Sequence, residues 1–170
     1  MEIIKCTLSE LSTLQKICRQ TFYETFADSN TESDMKQFLD TAYSSEKLES
    51  EISDKDSRTF LAVENGEAQG YLKLNKGTAQ TEKIFENALE IQRIYILKKA
   101  KGKGIGTKFM RLAEETARKL NLPVIWLGVW EHNEAAKEFY AKKGFIRFSQ
   151  HTFTVGTDPQ TDWLLKKELQ

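Results

Sequence analysis

The 170-residue chain is predicted to be an α/β protein built on a mixed sheet, and three features of the sequence carry that reading. Residues 88–97, 104–120 and 124–130 read as strand, helix and strand, the pattern of a right-handed βαβ crossover between parallel strands. Asn65-Gly66 lies between two β-rich runs in "RTFLAVENGEAQGYLKLN", the strongest short-range hairpin signal, and a hairpin is antiparallel. A second antiparallel pair is expected where "FIRFSQHTFTV" and "TDWLLKKEL" close the chain.

The elements follow in order. Residues 2–7 read as a strand, and Ser9 is placed to cap a helix whose Leu11, Leu14, Cys18, Phe22 and Phe26 recur at three-to-four spacing. Asn30 and Ser45 read as caps of two shorter helices, about 31–42 and 46–54. After the hairpin and a polar connection near 77–87 comes "LEIQRIYIL", where apolar residues change from odd positions (Leu89, Ile91) to even ones (Ile94, Ile96). One residue inserted near Gln92 or Arg93, a β-bulge, produces that change. In the crossover helix Ile105, Phe109, Leu112, Thr116 and Leu120 form one stripe, and the helix must stop before Leu122-Pro123. "VIWLGVW" is apolar almost throughout, as a strand covered on both faces should be. The last helix, 134–142, has Asn133 for its start and Gly144 for its end. No repeat, low-complexity tract or linker interrupts the chain, so one domain is expected over 1–170.

Composition narrows the function. Basic and acidic residues balance at 25 each, so no global field of the kind a general nucleic-acid binder uses is present. The opening "MEIIKCTLSELS" lacks the charged and apolar regions of a signal peptide, and no apolar run approaches the ~18 residues of a membrane span. A cytoplasmic protein without membrane partner is expected. Cys6 and Cys18 read as reduced structural thiols, and no metal is expected.

The chemistry is concentrated in "KKAKGKGIGTKF", where Gly102, Gly104 and Gly106 stand among lysines ahead of a helix. Glycines there let the backbone approach a ligand, and free amides at a helix N-terminus favour an anion. A nucleotide-hydrolysing loop would need Lys-Ser/Thr directly after its last glycine, but Gly106 is followed by Thr107 and Lys108. A dinucleotide fingerprint would need its third glycine one position later and an acidic residue roughly 20 positions on, where the chain reads "LNLPVIW".

The remaining pattern, "KGKGIG" (Lys101 to Gly106), resembles the acyl-CoA pyrophosphate loop of the GCN5-related N-acetyltransferase (GNAT) superfamily. The preceding "IYIL" and the later "NEAAKEFYAKKGF" resemble that family's two other signature regions in the right order. Lys101 stands where glutamine or arginine is commoner, keeping the charge but not the planar fork.

The resemblance implies a GNAT fold, a central mixed sheet whose fourth and fifth strands run parallel and splay apart, flanked by four to five helices. It implies acetyl-CoA as acyl donor, with Ile94, Tyr95 and Ile96 pairing with the pantetheine arm and Lys101, Gly102, Lys103, Gly104, Ile105, Gly106 and Thr107 around the pyrophosphate. Asn133 would cap the last helix and contact the arm, with Ala136 beside it. Lys98, Lys99 and Lys103 read equally as contacts to outer phosphates and as solvated loop lysines. Tyr140 matches the family's general acid. An ordinary phenol (pKa ~10) protonating a thiolate whose thiol titrates near ~8.5 costs about 2 kcal/mol. Glu90 is the candidate general base, its alternative reading being a strand-end surface carboxylate. A base is needed, because an amine of pKa ~10.4 is about 4.6 kcal/mol short of free base at pH 7.

The segment Glu24 to Asp56 holds ten acids against three lysines, a net of −7 in a neutral chain. If its helices wall the acceptor site, that wall would attract a polycation, although solvated helix faces explain the same charges. "WLGVWEHNEAAKEFYAKKGF", "QTDW" and "ETF" look like bacterial spermidine/spermine N-acetyltransferases linked to control of sporulation and degradative enzymes. A polyamine acceptor is therefore expected, with Trp126, Trp130 and Trp163 as candidate cleft residues. A peptide or protein amine, another small amine, and an acetyl-CoA sensor without turnover are the alternatives, and a homodimer through the C-terminal hairpin is a family-level expectation.

Overall fold

The computed structural model describes residues 1–170. In chain order its elements are β1 (Glu2–Lys5), α1 (Leu11–Phe26), α2 (Glu32–Ala42), α3 (Ser45–Ser53), β2 (Ser57–Glu64), β3 (Glu67–Asn75), β4 (Ala88–Ile96), α4 (Ile105–Lys119), β5 (Val124–Trp130), α5 (Glu134–Lys142), β6 (Ile146–Val155) and β7 (Asp158–Glu168). All strands join one sheet in the order β1-β2-β3-β4-β5-β7-β6. Only β4 and β5 run parallel, joined across α4, and every other neighbour is antiparallel. The expected α/β mixed sheet is thus present, with five α-helices around it.

Helix starts differ from the sequence expectation by a residue or two, for a chemical reason. Thr7, not Ser9, opens the first helical segment, because Thr7 and Glu10 exchange hydrogen bonds as a capping box around a 3-10 turn that leads into α1. Thr31 rather than Asn30 caps α2, and Ser44 rather than Ser45 caps α3, each accepting a backbone N–H three residues on. In each case two capping-competent residues compete, and the reach to an available N–H two or three residues on selects one. Asn133 and Gly144 (φ 90°) bound α5 as expected.

Asn65 and Gly66 both have positive φ, 53° and 79°, the two-residue turn that matches strand twist. The bulge falls where the change of parity predicts. Lys73 of β3 pairs with Arg93 and Leu74 pairs with Ile91, leaving Gln92 without a counterpart. Ile94 therefore continues the face of Leu89 and Ile91, while Glu90, Arg93 and Tyr95 share the other.

The bulge also ends the parallel pairing. β4 and β5 are in register from Ala88↔Val124 to Ile91↔Leu127 and no further. Beyond that point residues 92–96 of β4 face a gap instead of a strand.

The core lies on both faces of the sheet. On one side α4 presents Ile105, Phe109 and Thr116 as expected, but Leu112 and Leu120 are only partly buried and Ala113 and Ala117 take the central places. Small side chains let the helix axis approach the strands closely, which larger leucines would prevent. Cys6 and Cys18 are free, buried thiols, as expected, and burial pushes them up to about 11 and about 12. No helix is long and apolar enough to cross a membrane.

Candidate active site

The parting of β4 from β5 opens a cavity of about 800 Å3. At one end it is lined by the glycine loop, whose three glycines do different work. Gly102 and Gly104 have φ of 79° and 81°, the left-handed region that disfavours any Cβ. Gly106 lies inside α4, and a Cβ there would stand 3.3 Å from Phe139 Cζ, so its smallness lets α4 and α5 pack together. Gly104 is the N-cap of α4 and supplies no side-chain oxygen, which leaves the first-turn amides of Ile105, Gly106 and Thr107 open to a ligand at the positive end of the helix dipole.

Along the cavity runs the unpaired edge of β4. Ile94, Tyr95 and Ile96 line it, and facing them are Asn133, Ala136 and Tyr140 of α5 and its cap. Asn133 spends its carboxamide oxygen on the Ala136 N–H, 3.1 Å away. Tyr140 is buried, and that burial pushes its phenol well above the ordinary value, so it holds its proton at any working pH. An open strand edge, a bare helix N-terminus and a glycine loop in one cleft fit an acyl-CoA in extended form.

Lys101, Gly102, Gly104, Ile105, Gly106 and Thr107 all line this cavity, but Lys103 does not. Lys103 Nζ pairs instead with Glu64 at 3.2 Å, and Lys99 with Glu67 at 3.6 Å, both on the β2–β3 hairpin. The Lys103 side chain is exposed and ion-paired, while its backbone stays within the glycine loop.

At the other end the cavity floor is sheet. Glu90 is buried, not a surface carboxylate, and its oxygens accept from the Thr81 N–H at 2.8 Å, the Thr81 hydroxyl and Asn75 Nδ2 at 3.1 Å. Asn75 also donates to Gln92 Oε1 (2.8 Å), as does Lys73 Nζ (2.7 Å). Behind them Glu51 of α3 takes two bonds from Arg93, 2.7 and 3.1 Å, and lies 3.3 Å from Lys73. Burial opposes charge on Glu51, yet Arg93 and Lys73 hold its carboxyl below the usual range, while burial and Arg93 pull Lys73 down to about 8. The bulged residue and its neighbours thus tie Glu90 into a chain of fixed hydrogen bonds.

The acidic wall expected from residues 24–56 does not face the cavity. That segment contributes Thr25, Phe26, Phe38 and Tyr43 to the lining. Five of its ten carboxylates are committed elsewhere: Asp40 to Arg19 and Lys36, Glu51 to Arg93 and Lys73, Asp56 to Lys76, Glu24 to the Lys98 N–H and Asp34 to Thr157. An amphipathic helix turns its apolar side to the sheet, so net charge on the segment settles outside. The carboxylates that do line the cavity are Glu82, Glu90 and Asp162.

Sequence reasoning missed Glu82 and His151. Glu82 lies in the connection read as merely polar, and His151 is a lone histidine on an outer strand; only the sheet brings them beside Asp162 of "QTDW". Of the three tryptophans, Trp126 and Trp130 line the cavity and Trp163 does not. Trp163 stacks under Lys137 and Arg147, whose charged groups lie 4.1 Å from its ring.

Comparison with known proteins agrees with this arrangement. Residues 19–145 match the model of the acetyltransferase (GNAT) family. The chain is 43% identical, over 99% of its length and 98% of the relative's, to the "uncharacterized N-acetyltransferase in pepI 3'region" of Lactobacillus delbrueckii subsp. lactis. It is 28% identical to the spermidine N(1)-acetyltransferase of Thermoplasma acidophilum, over 85% of this chain and 88% of that one. Among solved structures, the PaiA N-acetyltransferase of T. acidophilum in complex with coenzyme A superposes with a TM-score of 0.81 at 25% identity, covering 99% and 98% of the two chains. The splayed strands, the glycine loop before α4 and these likenesses lead to one conclusion: the chain belongs to the GNAT family and is an acetyl-CoA-dependent N-acetyltransferase.

Proposed function

We propose that the acceptor is an aliphatic polyamine and that acetyl transfer is direct. The observation that carries this reading is a lining shared by the carboxylates Glu82, Glu90 and Asp162 and the aromatic rings of Phe22, Phe26, Phe38 and Trp130. Methylene chains gain by burial against aromatic rings, and ammonium groups gain from carboxylates in a cleft of low dielectric. The likeness to a spermidine N(1)-acetyltransferase points the same way.

In this reading the glycine loop and the first turn of α4 hold the pyrophosphate, and the open edge of β4 orders the pantetheine arm. The amine gives its proton to Glu90, directly or through water, and its nitrogen attacks the thioester carbonyl carbon. As the C–S bond breaks, the sulfur takes the proton of Tyr140. An ordinary phenol would do this at a cost of about 2 kcal/mol. Burial makes this phenol a weaker acid, but the same dry surroundings make the departing thiolate a stronger base, so the two shifts offset. Alignment of amine and thioester replaces any covalent acyl-enzyme, and neither buried cysteine lines the cavity.

The test is release of free CoA from acetyl-CoA with spermidine, spermine, a simple diamine and an N-terminal peptide as separate acceptors. Saturable turnover is expected with the polyamines, falling about 10²-fold or more in kcat for Tyr140→Phe. Turnover with the peptide alone would replace the polyamine reading by a protein acceptor.

A further inference from the structure

His151 of β6 faces the cavity with a carboxylate at each ring nitrogen. Nδ1 is in contact with Glu82 of the β3–β4 connection, and Nε2 lies 3.1 Å from Asp162 Oδ2 on β7. A neutral imidazole donates through one nitrogen only, so a ring with carboxylates on both sides is an imidazolium. The pairing brings one positive and two negative charges together and leaves a net of −1.

Nothing covers this cluster from the strand beneath. Gly128 of β5 is exposed on the cavity floor, and a Cβ there would stand 3.3 Å from Asp162 Oδ2 and 3.5 Å from His151 Nε2. A side chain at 128 would therefore occupy the approach to the pair. The other charged groups of the lining are Glu90, held by Thr81 and Asn75; Arg93, committed to Glu51; and Lys101 at the loop end. No lining lysine or arginine neutralises Glu82 or Asp162. The imidazolium is their only cationic partner in the cavity, and a cation entering from the cavity would compete with its proton.

We infer that Glu82, His151 and Asp162 are the specificity determinants that seat a second, non-reacting ammonium of the acceptor, which takes the electrostatic place of the His151 proton. The inference rests on the polyamine reading and deepens it. Glu90 serves the nitrogen that is acetylated; the cluster counts the charge of the nitrogen that is not. Binding is an exchange in which the ammonium enters, the imidazolium proton leaves to solvent, and the neutral ring keeps one hydrogen bond.

The exchange gives the three residues opposite signs. The readout is the ratio of kcat/KM for 1,4-diaminobutane to that for n-butylamine, on the full chain at saturating acetyl-CoA. Asp162→Asn and Glu82→Gln remove an attracting charge and are expected to lower the ratio about 10-fold each. His151→Gln removes the competing cation and is expected to raise it. A merely structural cluster would lower the ratio, or leave it alone, in all three variants, and that result overturns the inference. A wild-type enzyme that does not prefer the diamine overturns the polyamine reading itself. A wild-type preference that all three variants keep overturns only the cluster's role. Should a variant fail to fold, calorimetry on the wild-type protein in two buffers of different ionisation enthalpy decides. Diamine binding near pH 6.5 must release more protons than butylamine binding, by up to about one; equal release refutes the exchange.

Discussion

The two ends of the cavity are built from different parts of the chain. The end proposed for the donor is made of backbone: the unpaired edge of β4, two left-handed glycines and an uncapped helix start, most of it within residues 94–107. The end proposed for the acceptor is made of side chains from distant segments, with Phe22 and Phe38 from the first two helices, Glu82 from a connection, Glu90 from β4, Gly128 from β5, His151 from β6 and Asp162 from β7. A backbone site holds a ligand that every turnover shares. A side-chain site can be revised one residue at a time without disturbing the donor.

The largest expected effect would breach that division, because one group supports both ends. Glu51 compensates Arg93 and Lys73 beside the bulge, so Glu51→Ala leaves two buried cations unpaired and should cost about 3–5 kcal/mol of unfolding free energy in denaturant titration. Loss of less than about 1 kcal/mol would mean that Arg93 and Lys73 find water instead.

The next pair sets backbone against side chain at the donor end. Gly104→Val forces a β-branched residue into a left-handed conformation at a cost of about 1–2 kcal/mol, and KM for acetyl-CoA should rise about 5- to 30-fold. Lys101→Ala, which removes a solvent-facing point charge from the same loop, should raise it only about 2- to 3-fold, with an effect that fades at high salt. If the lysine variant is the worse of the two, the donor end is electrostatic and not backbone-made.

The smallest effect belongs to the acceptor end. Hydrogen bonds that the His151 ring donates to Asp162 and Glu82 outweigh burial and raise its pKa above the ordinary 6.5. A raised folded-state value means that the cluster's contribution to stability is complete below about pH 6.5 and is lost as pH climbs through the folded value. The melting temperature of the wild-type protein should therefore fall more between pH 6 and pH 8.5 than that of Asp162→Asn. Parallel pH profiles would show that the ring does not titrate against these carboxylates.

These differences follow what a linear reading can reach. The bulge was legible because an inserted residue shifts every later side chain to the other face, and Leu89, Ile91, Ile94 and Ile96 record the shift. The hairpin at Asn65-Gly66 and the Asn133 cap were legible because turns and caps are settled within four residues. Caps at Thr7, Thr31 and Ser44 were displaced because neighbouring residues share the same chemistry. The segment 24–56 misled because its charge is a property of the chain, while the direction each carboxylate faces is a property of the packed helix.

The sequence by itself determined the glycine loop, the bulge of β4, the hairpin turn and the element order, since each depends on spacing between near neighbours. Only the tertiary structure decided the cluster of Glu82, His151 and Asp162. Glu82 and His151 are 69 positions apart along the chain, and no local pattern relates them. They meet because β6 returns beside β7, β7 beside β5, and the β3–β4 connection folds back over the face that those strands share.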